Sequence, residues 1–493
     1  MELNRMIGTM YTPQAEMTKI GKGSYGQVYQ KNSTTVVKEC DKYDRTGLCG
    51  THALELSTIT ELSILNIDEL EHTPKIKEFS TSSNNKILIS MDNGGQTLLE
   101  FARTLTINER LKLLPKFAFQ LIKSCLYFQE NGIIHNDIKS SNVLVNSKND
   151  ITVIDFGLCA FETISKPNGL FMSCGTSMSQ EYGTYTICPP ETFTYNFWSI
   201  DKYMSWSVGI TLCEFLFKTH SVICECVLTD TERNLYKQHY QNDWMIKQIL
   251  GEIFMKKMKT GVKTVIDFSK YDNFPKELTT LFHSMLTINM KERKTLKELY
   301  NLPIFKEYRK DENNDLHLGT IAALHCNIVP KSLVPTNQIA IYKDFREKII
   351  NHIFDVYCSC NKLNLFLHAV HIFDKYCSVR VLDLNKLCIA GIASAYVAQY
   401  IEKRMPIPLG TFASTMAWIA PYKVTVGCIT SVVEDIMFSC SHNMYSQTFD
   451  VQIAKTGEVI NMVVILDIMK SIVPPYNNGV LVKEYVTRLG KKY

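Results

Sequence analysis

The sequence predicts an α+β domain over roughly the first 310 residues and an all-α domain after it, on three observations. The first hundred or so residues alternate short β-branched runs with Gly and Asn turns. From residue 108 onward apolar residues recur at helical spacing, and a charged, polar stretch at 306–315 separates this region from a second series of helices. A chain of 493 residues exceeds one ordinary core, so two or three units are expected. With 45% hydrophobic and 21% charged residues, it has the apolar material for packed cores and lacks a disordered or fibrous composition.

Along the chain, 27–30, 34–38 and 86–91 read as strands, with one helix at 57–66 between them. From 108 to 131, Leu111, Leu114, Phe117, Ala118, Leu121 and Leu126 trace one helical face, and 206–217 and 278–285 repeat that pattern. The segment KEYRKDENND at 306–315 is expected to begin a linker, which gives a first domain at 15–309, a linker at 310–338 and a helical domain at 339–493. In the last of these, Phe345, Ile349, Ile350, Ile353 and Phe354, then 365–376 and 386–400, predict helix after helix, punctuated by Pro406 and Pro408.

Bulk charge excludes little but directs nothing toward nucleic acid or membrane: 53 Lys and Arg against 49 Asp and Glu leave a net +4. The 16 cysteines are scattered, and the C-x-C pairs Cys224/Cys226 and Cys358/Cys360 lack a second cluster at zinc spacing, so reduced thiols are expected. The first residues carry Glu2, Arg5, Glu16 and Lys19 instead of a signal-peptide core, and no apolar run of membrane-spanning length follows. An intracellular protein, cytoplasmic or nuclear, is the expectation.

Chemistry concentrates in four places. Gly21, Gly23 and Gly26 in GKGSYGQV, with Lys22, Ser24 and Tyr25 between them, sit between predicted strands where absent side chains let backbone amides approach phosphate oxygens. Lys38 in the extended run VVK supplies a fixed cation for phosphates if a carboxylate holds it, and Glu61 in the 57–66 helix is the natural carboxylate. The third place is HNDIKSSN at 135–142, where Asp137 is expected to orient and deprotonate a hydroxyl and Lys139 to steady a γ-phosphoryl group. The fourth is IDFG at 154–157; Asn142 and Asp155 offer the hard oxygens that Mg²⁺ takes. Each motif alone is common, but their order along one chain is not.

That order resembles the eukaryotic-type protein kinase family across about 15–309. Pro190 and Glu191 in TYTICPPE match the end of the activation segment, Arg293 matches the arginine that pairs with that Glu, and Thr184 with Lys139 match the serine/threonine branch. The resemblance implies a bilobal fold, a small β-rich lobe to about 91 and a helical lobe from about 95, using ATP and Mg²⁺ to modify a protein substrate. It implies an adenine site between Val28 and Val36 above and Leu144 below, with Met91 as gatekeeper and the backbones of Asp92 and Gly94 as hinge partners.

Two stretches narrow the resemblance. LSTITELSIL at 56–65 and GKGSYGQVY are similar to cyclin-dependent kinases, and 345–402 resembles a cyclin box, with Arg346 at the start of its first helix and Asp374 in its second. The lysine expected in the third helix is Gln399, with Glu434 the candidate for its partner glutamate, and 441–493 is too short for a second full box. The resemblance implies activation in cis, the cyclin-like domain pressing on the helix that carries Glu61. Three arginines that would receive an activating phosphate are replaced by Asn136, Thr60 and Ala160, so activity independent of phosphorylation at Ser179 is expected. Ser24 and Tyr25 match positions of inhibitory phosphorylation in that group. Met204 stands where an Asp that anchors the catalytic loop is usual, and Cys188 where an arginine near the substrate is usual. The rival readings are a pseudokinase scaffold that binds nucleotide and partner proteins without phosphoryl transfer, a small-molecule kinase, and a helical tail that docks another protein.

Overall fold

The computed structural model describes residues 17–23, 26–41, 72–82, 84, 86–130, 133–161, 170–172, 187–194, 197–239, 242–266, 268, 274–310, 339–358, 363–382, 384–401, 425–440, 462–472, 474 and 478–489. The predicted helix at 57–66 with Thr60 and Glu61, the loop residues Ser24 and Tyr25, the positions Ser179 and Thr184, and the segment 311–338 lie outside these residues.

Five antiparallel strands open the fold: β1 (Thr18–Gly23), β2 (Gly26–Asn32), β3 (Thr35–Asp41), β4 (Ile76–Thr81) and β5 (Lys86–Asp92), in the order β1-β2-β3-β5-β4. The register explains which residues share a face. Lys38 stands opposite Val28 on β2 and Ile89 on β5, and Val36 stands opposite Met91. Because side chains alternate along a strand, Val28, Val36, Lys38, Ile89 and Met91 line one face. Val36, Ile89 and Met91 are buried there, while Val37 is buried on the other face, so β3 is central and apolar on both sides.

A two-residue strand β6 (Gln96–Thr97) leads into α1 (Leu98–Thr104), whose start is fixed by a reciprocal cap: Thr97 Oγ1 accepts from the Glu100 N–H and the Glu100 carboxylate accepts from the Thr97 N–H. Next come α2 (Ile107–Glu130), β7 (Ile133–Ile134), β8 (Val143–Val145), β9 (Ile151–Val153) and β10 (Ala160–Phe161). β6, β8 and β9 form one small sheet and β7 pairs with β10, so the segments 135–142 and 154–159 both leave short paired strands and are held at both ends. Further on lie β11 (Leu170–Met172), α3 (Glu191–Thr194), β12 (Phe197–Ser199), α4 (Ile200–Phe217), α5 (Asp230–Gln238), α6 (Asp243–Lys259), α7 (Lys276–Met285), α8 (Leu296–Tyr300) and α9 (Lys306–Lys310). Helix α4 is buried nearly all round, with Tyr203, Met204, Trp206, Val208, Ile210, Leu212 and Phe215 in the core.

The expected linker does not begin at 306. Residues 306–310 form α9, where the Tyr308 ring stacks on Phe119 at 5.5 Å between centroids and Arg309 donates to the carbonyls of Tyr300 and Leu302. Charged residues here carry enough ring and methylene surface to dock, which polarity along the sequence conceals.

The C-terminal region is helical: α10 (Ile339–Cys358), α11 (Leu363–Val379), α12 (Leu384–Ile401), α13 (Val426–Ser439), α14 (Met462–Ser471) and α15 (Asn478–Arg488). α10 begins before Arg346 instead of at it. Arg346 is buried, and its Nε and Nη2 meet the Asp374 carboxylate on α11 at 2.7 Å each, while Nη1 donates to the Met469 carbonyl on α14 at 2.9 Å. One guanidinium therefore ties three helices. The end of α11 is fixed to α13 by Asp435, which accepts from Tyr376 at 2.6 Å and from Arg380 at 2.7 Å. Among the described residues no helix is long and apolar enough to cross a membrane, and the cysteines form no disulfide.

Candidate active site

Lys38 reaches down from the sheet and places Nζ 2.9 Å from Asp155 Oδ1. Asp155 follows β9 in a left-handed conformation, φ 67° and ψ 67°, which Asp tolerates better than most side chains. The turn is held from both sides. The Ile154 N–H donates to the Asn142 carbonyl at 2.9 Å, the Ile154 carbonyl lies 3.1 Å from His135 Nε2, and Phe156 is buried against His135 and Phe128. Burial pushes the Asp155 carboxyl up, but the Lys38 ammonium, together with the fields of His135 and Lys139, holds the group below the usual carboxylate range.

The segment from β7 to β8 carries the other half. Asp137 is 3% exposed, and its Oδ2 meets Lys139 Nζ at 2.7 Å and Asn142 Nδ2 at 2.9 Å. The same Nδ2 donates to the Asp137 carbonyl at 2.9 Å. Both amide hydrogens of Asn142 are thus spent on Asp137, and its carbonyl oxygen remains as the acceptor. Lys139 also acts electrostatically on Asp155 and His135, so the two halves share one field. Burial keeps the His135 imidazole below its usual value, against the pull of the Asp137 and Asp155 charges.

Around this centre the proposed nucleotide residues occupy their expected faces. Val28 and Leu144 are half-buried, Val36 and Met91 are buried. Gly94 packs so closely over Leu144 that a Cβ there would lie 2.7 Å from Leu144 Cδ1, which explains why the hinge carries no side chain at that point. The Asp92 N–H donates to the Lys75 carbonyl at 3.2 Å, so only the Asp92 carbonyl remains for a hinge role. In the glycine hairpin Gly21 pairs with Val28, Lys22 with Gln27 and Gly23 with Gly26. Gly26 has a packing reason beyond phosphate approach: a Cβ there would run into the Glu39 carbonyl of β3.

Farther out, Glu191 and Arg293 form a fully buried bidentate pair, with Nη1–Oε1 2.6 Å and Nη2–Oε2 2.9 Å. Arg293 also donates to the carbonyls of Thr287 and Lys202 at 3.0 Å and lies over the Trp206 ring, so its buried donors find acceptors. Cys188 is buried beside the Tyr203 hydroxyl, and burial pushes its thiol up to about 12. Asn136, where an arginine was expected in other kinases, donates from Nδ2 to the Leu158 carbonyl at 3.1 Å, and Ala160 pairs with Ile134. What sequence reading missed is the support from α4: Tyr203, Thr211 and Glu214 are buried on a largely apolar helix, where a polar group calls for a partner.

With that geometry in view, a family model for the protein kinase domain matches residues 15–305. The chain belongs to the protein kinase domain family. It is 26% identical over 203 residues to CBL-interacting protein kinase 15 of Oryza sativa subsp. japonica, covering 39% of this chain and 43% of that protein. It is 28% identical over 205 residues to CBL-interacting protein kinase 5 of the same plant, covering 39% and 40%. It is 27% identical over 201 residues to Tyrosine-protein kinase Fer of Homo sapiens, covering 40% and 22%. The matched stretch therefore spans well under half the length of these relatives.

The protein kinase domain uses ATP and Mg²⁺, and the residues here fit both. Asp155 Oδ1 binds Lys38 while Oδ2 stays available, and Asn142 offers its carbonyl oxygen: two hard oxygen donors on segments joined by the Ile154–Asn142 bond. When bound, the metal neutralises phosphate charge.

Proposed function

We propose that this chain is a serine/threonine protein kinase, transferring the γ-phosphoryl group of ATP to protein hydroxyls, and that its C-terminal helices act on the kinase domain in cis as a cyclin-like activator. The observation that carries the first part is the Asp137 cluster: a carboxylate bracketed by Lys139 and Asn142, beside the Lys38–Asp155 pair. In this reading Asp137 orients the acceptor hydroxyl and takes its proton, Lys139 steadies the transferred group, and Lys38 positions the α and β phosphates with Glu61 behind it. Asn142 and Asp155 hold Mg²⁺; Gly21, Lys22, Gly23, Ser24, Tyr25 and Gly26 cover the phosphates; Val28, Val36, Leu144, Asp92 and Gly94 hold the adenine. A scaffold without phosphoryl transfer has no need for a base and two metal donors in one hydrogen-bonded unit.

The relatives include a kinase named for tyrosine, so the serine/threonine preference rests on Lys139 two residues after Asp137, and on Thr184. The cyclin-like reading is supported by Arg346 and Asp374, singled out by resemblance and found as a buried bidentate pair between the first two helices. The bond from Asn136 to the Leu158 carbonyl supports activity without loop phosphorylation, since a neutral amide takes the place from which an arginine would reach a phosphate. The test is γ-phosphate transfer from ATP and Mg²⁺ to a generic protein by the full chain and by its Asp155→Asn variant, followed by phosphoamino-acid analysis. Transfer to Ser and Thr by the wild type alone supports the reading; nucleotide binding without transfer overturns it.

A further inference from the structure

We propose that Glu214 is a positioning residue that holds the catalytic loop in its working shape, taking over the duty that the family resemblance assigns to a carboxylate at position 204. The inference rests on the protein kinase reading above. Position 204 holds Met204, 1% exposed in the apolar core, and a thioether is a poor acceptor for a loop N–H. Helix α4 meets the loop elsewhere. The Tyr203 hydroxyl donates to the Asn136 carbonyl at 3.4 Å, Thr211 Oγ1 donates to the Ile138 carbonyl at 3.0 Å, and Glu214 Oε2 accepts from the Ser140 N–H at 2.7 Å.

The spacing gives these contacts a purpose. Two of the tethered main-chain groups, those of Ile138 and Ser140, flank Lys139, which is extended at φ −151° and ψ 163°, while the third, on Asn136, fixes the left-handed turn at φ 60° that leads into Asp137. In extended chain, alternate residues face opposite sides, so anchoring Ile138 and Ser140 aims Lys139 between them, and with it the Asp137 carboxylate that Lys139 holds. Of the three tethers, Glu214 makes the shortest bond. Thr211 shares its hydroxyl with the Ser207 carbonyl, and the Tyr203 bond is long. Glu214 is also the single carboxylate among them, 2% exposed, and burial raises its carboxyl to about 7 against the opposing effect of the Ser140 N–H. Lys139 and Asp137 are the charged groups it senses, and they are the two side chains it would aim.

The test compares the full chain with its Glu214→Gln, Glu214→Asp and Glu214→Met variants, reading kcat and KM for ATP with casein as acceptor, and deuterium exchange at the Ser140 amide. Gln keeps an acceptor oxygen at the same reach, whereas Asp draws it back by one methylene and Met removes it. The expected result is kcat within about threefold of wild type for Gln and down by about tenfold to a hundredfold for Asp and Met, with KM for ATP within about twofold. Ser140 exchange should quicken at least about tenfold in Asp and Met only. Asp and Met variants with wild-type kcat and exchange would overturn the proposal, as would an equal loss in all three. If Met does not fold, Asp against Gln decides. A wild type without phosphoryl transfer defeats the kinase reading instead, and the exchange comparison still tells whether Glu214 holds the loop.

Discussion

In the proposed reaction Asp137 takes the proton of the acceptor hydroxyl, and its surroundings make a sharp expectation. Asp137→Asn keeps the shape and the hydrogen bonds to the loop but removes the proton acceptor, so kcat should fall by about a hundredfold to ten-thousandfold while KM for ATP changes little. Steady-state kinetics on the full chain read this directly; a loss confined to KM would mean that Asp137 serves nucleotide binding. Glu214 gives a pH signature at the same scale. Its folded-state carboxyl sits at about 7 against an ordinary 4.5, so its contribution to stability is fully present below pH 4.5 and is lost as pH rises to 7. Over that window the wild type should lose stability relative to Glu214→Gln, by an amount on the order of 2 kcal/mol. Urea unfolding of both proteins at pH 5 and 7 measures the difference, and parallel behaviour would show that the carboxyl titrates normally.

At the scale of elements, the Arg346–Asp374 pair joins α10 to α11, and the Arg346 bond to the Met469 carbonyl adds α14. Arg346→Ala leaves a carboxylate at 0% exposure without its counter-charge and should cost about 3–5 kcal/mol, whereas replacing both residues by apolar ones of similar volume should cost much less. Denaturant unfolding of the helical region is the measurement; a single-variant cost below about 1 kcal/mol would mean that water reaches Asp374. These elements also show how far pattern reading extends. Helices α2, α7, α11 and α12 were legible because their apolar residues repeat at helical spacing over several turns. The docked α9 was not, because a run of Lys, Glu, Arg and Tyr reads as solvent-facing until Phe119 and Tyr300 are seen beneath it.

For the whole molecule, activation in cis predicts that full-length chain phosphorylates casein at least about tenfold faster than residues 1–310 under the same conditions, because tethering holds activator and target at high effective concentration. Equal rates would refute it. Ser179→Ala in the full chain should retain activity within about threefold; a large loss restored by Ser179→Glu would mean that the loop needs a phosphate despite Asn136 and Ala160.

The sequence by itself determined the family and named the reacting set proposed above. Lys38, Asp137, Lys139, Asn142 and Asp155 had to be those residue types in that order, because the chemistry needs a cation, a base and hard oxygens on successive segments. The resemblance also marked Glu191 and Arg293 as a pair, and singled out Arg346 and Asp374 one by one; their pairing came with the fold, where a buried charge requires a partner. Only the tertiary structure decided how the loop is held. A backbone N–H or carbonyl is identical in every residue, so no pattern of side chains could say that Ser140 meets Glu214 or that Ile138 meets Thr211; packing α4 beneath the loop decided it.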